Sequence, residues 1–125
     1  MNIDNIINLG CEFFNIKRDE LNNPSRRFEF NLHRHVIWYF CRKYTGCTLR
    51  EIGLKTGRRN HATVLSGIRS VNNQIDTDFE YRMLIDRMDT FLDVNKFRTP
   101  EQDRQKILAK YDRMIINSFQ MNDIF

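Results

Sequence analysis

The residues with most to offer chemically stand together at Arg58-Arg59-Asn60-His61-Ala62-Thr63. Two guanidinium groups suit planar, two-pronged contacts to phosphate or guanine. An Asn amide can bond adenine through both heteroatoms, and a His ring nitrogen can reach a purine N7 or O6. The Ala and Thr methyls can touch a thymine methyl. Asn60 also suits the N-cap of the helix that follows. A helix N-terminus offers free backbone N–H groups to a phosphate. Without a ligand, the same residues are a helix cap and a pair of solvated arginines.

Other chemistry is poorly served. A zinc site would need His33, His35, Cys41 and Cys47 to converge, yet there is no CxxC and no HxxxH. Three cysteines with no close pair argue against a disulfide framework and fit a reducing compartment. Cys41 falls on an apolar helix stripe and reads as core. No carboxylate pair, triad or Cys–His signature stands out, so no enzyme and no cofactor are expected. Gly53-Leu54-Lys55-Thr56 lacks the glycine spacing of a GxxxxGK[ST] phosphate loop.

The elements that must position the hexapeptide read as helices throughout. Ile3, Ile6, Ile7, Cys11 and Phe14 follow the helical period, and Asn22-Pro24-Ser25 breaks it. Val36, Ile37, Phe40, Cys41 and Tyr44 form a second stripe over about 31–44, which Gly46 ends. Thr48 and Glu51 make a capping box for a short helix with Leu49, Ile52 and Leu54 inward. Gly57 supplies the turn after it. The next helix faces inward with Val64, Leu65, Ile68, and Val71 or Ile75. Thr77 and Glu80 repeat the capping pattern, opening a helix with Phe79, Met83, Leu84, Phe91 and Leu92 on its apolar side. Thr99-Pro100-Glu101-Gln102 starts a last helix with Ile107, Leu108, Tyr111, Ile115 and Phe119 inward.

Short helix, glycine turn and second helix over 48–71 is a helix-turn-helix layout, whose second helix enters the major groove. The charge agrees. Residues 25–75 hold ten basic and two acidic side chains, while 1–24 and 76–125 each carry a net −2. A concentrated basic stretch attracts a polyanion better than a dispersed one. At 125 residues, 41% hydrophobic and 29% charged, the chain suits one ordered domain. It has no apolar run near the roughly 20 residues of a membrane span. A cytoplasmic, nucleoid-associated protein is the expectation.

The stretch TLREIGLKTGRRNHATVLSGIRSV resembles the signature of the C-terminal DNA-binding domain of the bacterial replication initiator DnaA. The family pattern runs S-L-x-E-I-G, a few residues, then G-x-R-D-H-[ST]-T-V-L-H-x-x-R-x-I. Leu49, Glu51, Ile52, Gly53, Gly57, Arg59, His61, Thr63, Val64, Leu65 and Arg69 match it. The likeness covers about residues 3–92 and includes the opening amphipathic helix. It implies an all-α, Trp-repressor-like helix-turn-helix bundle that binds double-stranded DNA sequence-specifically. Asn60, His61, Ala62 and Thr63 are then the candidate base contacts. Arg34, Thr48, Arg58 and Arg59 are the candidate phosphate contacts, with Arg26 and Arg27 from the preceding loop. Three departures bear on the target. Asn60 stands in place of an Asp, Ala62 replaces a Ser or Thr, and Leu32 replaces an arginine that enters the minor groove. The usual initiator box is therefore not the expected preferred site.

The expected organisation is a DNA-binding domain over 1–94 and an extension over 95–125. That extension either packs on the domain or mediates homodimer or partner association. The missing phosphate loop and the short length make a stand-alone module without ATPase activity the expectation, whether its role is replication or transcription control. The alternative is a protein-interaction adaptor on the same fold with weak, non-specific DNA binding. An RNA-binding module is less favoured, because Trp38, Tyr39 and Phe40 run consecutively along a helix and cannot form a stacking platform among the basic residues.

Overall fold

A computed structural model describes residues 2–24 and 28–96, and every regular element among them is a helix. The order is α1 (Ile3–Phe14), α2 (Arg18–Asn22), α3 (Phe28–Thr45), α4 (Leu49–Lys55), α5 (His61–Thr77) and α6 (Phe79–Asn95). The expected all-α bundle is thus borne out.

Local chemistry sets most helix ends. The Asn2 side chain accepts from the Asn5 N–H at 2.8 Å to start α1. Asn15 ends it in the left-handed region at φ 55°, a conformation Asn tolerates better than most residues. The α1 stripe goes inward as the spacing predicts, with Ile6, Ile7 and Cys11 buried.

The bundle is organised around α3, which packs against α1, α2, α4 and α5. Its Val36, Ile37, Trp38, Phe40 and Cys41 are all buried, and Tyr39 is half-buried edge-on to Phe40. Neighbours on several sides explain why its buried positions spread beyond one stripe. The closest approach is to α5 at Gly67. A Cβ there would stand 2.7 Å from both His35 Cδ2 and Trp38 Cε3, well inside van der Waals contact. Gly67 therefore lets the two helices nest on the Trp38 ring.

Four expectations are corrected. The short α2 was not foreseen, because five residues carry no period. Thr77 does not cap α6. Instead α5 runs through it, and the Asp78 carboxylate accepts from the Glu80 and Tyr81 N–H groups at 3.0 and 3.2 Å. Asp is the stronger cap, and Asp78 also closes α5 by donating its own N–H to Gln74 O. The inward face of α6 is Tyr81, Ile85, Met88 and Leu92, while Phe79 and Met83 face solvent. Finally, Leu54 and Tyr44 are exposed rather than inward, and Leu65 is only half-buried. The expected extension over 95–125 lies outside the described residues beyond Lys96. Among the described residues, no helix is long and apolar enough to cross a membrane.

Candidate nucleic-acid interface

The helix-turn-helix is fastened from behind. The Thr48 hydroxyl accepts from the Glu51 N–H at 3.2 Å and opens α4. At the other end, the buried Thr56 hydroxyl donates to Ile52 O at 2.8 Å and accepts from the Trp38 indole N–H at 2.9 Å. One hydroxyl thus ties α4 to α3 with both buried polar groups satisfied. Gly57 (φ +89°) and Arg58 (φ +57°) then reverse the chain in the left-handed region. The Arg59 N–H returns to Gly53 O at 2.9 Å. A Cβ on Gly53 would stand 2.1 Å from the Arg59 carbonyl oxygen. Only glycine permits that backbone approach.

The Asn60 side-chain oxygen accepts from the Ala62 N–H at 2.8 Å, capping α5. Asn60, His61, Ala62 and Thr63 are all exposed, while Val64 turns inward with Ile52. The cap changes what Asn60 can read. Its carbonyl oxygen is engaged at home, and its NH₂ group remains to donate outward. That free donor can address purine N7 or guanine O6 while the oxygen holds the cap.

The arginines divide into two classes. Arg50, Arg58 and Arg69 are exposed. Arg34 is only 3% exposed. Its Nε donates to Leu21 O at 2.8 Å, and its other nitrogens donate to Asn31 Oδ1 and Asn23 O. Arg59 reaches the same Asn23 carbonyl with Nη2 at 2.7 Å and the Thr56 carbonyl with Nη1. Short α2 ends in free carbonyls that need donors, and the two arginines supply them. This places Arg34 inside the fold rather than at the surface position a phosphate contact requires. Burial pulls the Arg34 pKa down from its ordinary value, and the Arg59 charge adds to that pull. Burial also lowers the Arg59 value. Two like charges therefore hold one carbonyl from two sides, joining the end of α2 to the turn before α5. Arg26 and Arg27 lie outside the described residues.

One feature escaped the sequence reading. The outer face of α5 carries a groove of about 470 Å³ lined by Ala62, Leu65, Ser66, Arg69 and Asn73, among others. Residues 62, 66, 69 and 73 repeat at helical spacing, and the polar character of Ser66, Arg69 and Asn73 was the available signal. Among the described residues, no group of three or more His, Cys, Asp or Glu could hold a metal ion. Burial pushes the Cys41 thiol far up, which makes it a poor nucleophile. His33 stacks on Phe14 at 4.3 Å, and burial lowers its pKa and that of His35.

Comparison with known proteins agrees with this geometry. The model of the bacterial DnaA protein helix-turn-helix matches residues 3–71, more than half of the chain. The chromosomal replication initiator protein DnaA of Thermomicrobium roseum is 36% identical over 77 residues, covering 62% of this chain and 17% of that protein. The DnaA of Bacteroides fragilis is 31% identical over 90 residues, 72% of this chain and 19% of that protein. The DnaA of Wolbachia pipientis wMel is 35% identical over 86 residues, 69% and 19% respectively. The chain thus spans less than a fifth of the length of these curated relatives. The family match runs through α1–α4 and most of α5, taking in the capped turn and the exposed start of α5, and the chain accordingly belongs to the bacterial DnaA helix-turn-helix family.

Proposed function

We propose that this chain binds double-stranded DNA sequence-specifically, with the N-terminal turn of α5 in the major groove, in the control of replication or transcription. The observation that carries this reading is the exposed row Asn60–Thr63 at the capped start of α5, held on a turn fastened from behind. Membership of the DnaA helix-turn-helix family and the basic middle of the chain support it.

In this reading His61, Ala62 and Thr63 touch base edges, and Asn60 donates its amide to a purine acceptor while it stays the cap. Thr48, Arg50 and Arg58 meet phosphates from the exposed side of the turn, and Arg69 extends the contact along α5. Arg26 and Arg27 enter from the α2–α3 segment. Arg34 and Arg59 act as positioning residues that hold that segment against the turn, and Arg59 is exposed enough to share a phosphate.

The test is selection from random duplexes with the purified chain, followed by affinity measurements across salt. A reproducible consensus, different from the initiator box and bound with a steep salt dependence, is the expected result. Salt-sensitive binding with no consensus would overturn the specific reading and favour the adaptor. Recovery of the initiator box as the top sequence would overturn the altered preference drawn from Asn60 and Ala62.

A further inference from the structure

The outward face of α6 carries apolar side chains near its middle and opposite charges along each edge. Tyr81, Ile85, Met88 and Leu92 turn inward against α1 and α5. Opposite them, Phe79 is 71% exposed and Met83 40%. Met83, Asp86, Arg87 and Thr90 line a shallow groove of about 370 Å³ there. At helical spacing Glu80 and Arg87 flank Met83 on one edge of this face, and Arg82 and Asp86 flank it on the other. All four charged residues are exposed, and among the described residues none of them forms an ion pair. Glu80 and Arg87 are two turns apart, about 10 Å along the axis, too far to pair within one helix.

We propose that this face seats a second copy of the chain, whose α6 lies antiparallel about a two-fold axis beside Met83. Such an axis sets each edge of the helix against the same edge of the copy, so that residue i meets j and j meets i. Glu80 then meets Arg87 of the second copy, and Arg87 meets its Glu80. On the other edge Arg82 meets Asp86 of the second copy, and Asp86 its Arg82. One register serves both edges, because both pairs are centred at residues 83–84. Met83 meets its own counterpart at the axis, and Phe79 lies over Thr90. Arg82 donates Nε to Ile75 O at 3.1 Å, which anchors it at the edge and leaves its other nitrogens to a carboxylate. A face that carries both partners of every charge pair is matched by a copy of itself, and this self-complementarity favours a second copy over an unrelated partner. The row Asn60–Thr63 lies at the other end of α5 from the α5–α6 junction, about 24 Å along the helix, so the dimer leaves it open.

The experiment is sedimentation of the full chain without DNA, so its outcome stands apart from duplex recognition. One helix pair makes a small interface, and the parent is expected to dimerise with a Kd of about 10–100 µM. E80K and R87E each set like charges opposite one another at two places. Each is expected to weaken dimerisation at least about tenfold. Mixed together, the two variants are expected to regain the parental affinity as a heterodimer, and the doubly substituted E80K/R87E chain to regain it as a homodimer. A parent still monomeric at about 1 mM would overturn the proposal. So would a dimer indifferent to either reversal, or a loss that neither the mixture nor the doubly substituted chain restores.

Discussion

The two sides of the helix-turn-helix use the same residue types for opposite ends. On the inner side, Arg34 and Arg59 spend their guanidinium groups on the carbonyls of Leu21, Asn23 and Thr56. Trp38 and Thr56 spend their polar atoms on each other and on Ile52. On the outer side, Arg50, Arg58, Asn60, His61, Thr63 and Arg69 are exposed. The difference teaches that a basic segment is not one electrostatic object. Part of its charge is consumed in fastening the turn, and only the remainder faces a polyanion. Fastening also has value for recognition, because base-edge contacts depend on geometry held within a fraction of an ångström.

The most severe way to break the contrast is Gly53→Ala on the inner side. The new methyl overlaps a backbone carbonyl, so a loss of more than about 3 kcal/mol is expected, read as a lowered melting temperature. Arg34→Gln follows. Losing charge-assisted bonds to Leu21 and Asn23 is expected to cost about 2 kcal/mol of stability. Its duplex affinity falls, but the slope of affinity against salt stays that of the parent. Arg50→Ala does the reverse, leaving the melt alone and lowering the slope by about one. A lowered slope in Arg34→Gln would return that residue to the phosphate contacts.

On the outer side, His61→Ala is expected to cost about 1–2 kcal/mol of discrimination at particular base pairs with an unchanged melt. Asn60→Ala is expected to lose both discrimination and about 1 kcal/mol of stability, because it is also the cap. A melt unchanged in Asn60→Ala would separate reading from capping. Arg58→Gly should move the two properties in opposite directions. Relief of the left-handed conformation raises stability by about 1 kcal/mol, while the lost charge weakens binding.

The smallest effect is on pH. Burial holds the folded-state pKa values of His33 and His35 below the ordinary 6.5. The unfolded chain therefore binds more protons once pH drops through that value, and stability falls with it. The melting temperature is expected to be flat just above neutrality and to decline steadily below about pH 6.5. His33→Phe, which keeps the ring against Phe14, should flatten part of that decline. An unchanged profile in this variant would assign the decline elsewhere.

Much of this was legible in the chain. The helices α1, α3, α4 and α5 follow from apolar period and caps, since helix ends are set by neighbours three or four residues away. The exposed row Asn60–Thr63 was legible for the same reason. The resemblance to the DnaA helix-turn-helix rested on an ordered run of such local signals. The α6 face was misread because Phe79 and Met83 are apolar yet exposed, and a period alone does not say which side meets the bundle. The dual use of Asn60 was half visible, as cap and as reader, without its consequence for which atom remains free.

What the sequence by itself determined was an all-helical chain with a basic middle, a helix-turn-helix and the residues at the start of its second helix. All of these depend on contacts within about one helical turn, or on composition. Only the tertiary structure decided which arginines face outward, that Thr56 ties Trp38 to α4, and that Gly53 and Gly67 sit where backbones or rings come close. Those contacts join residues 6 to 36 positions apart, and the Gly67 contact packs one helix on another. Packing sets them, and no local pattern in a chain records which distant carbonyl will need a donor.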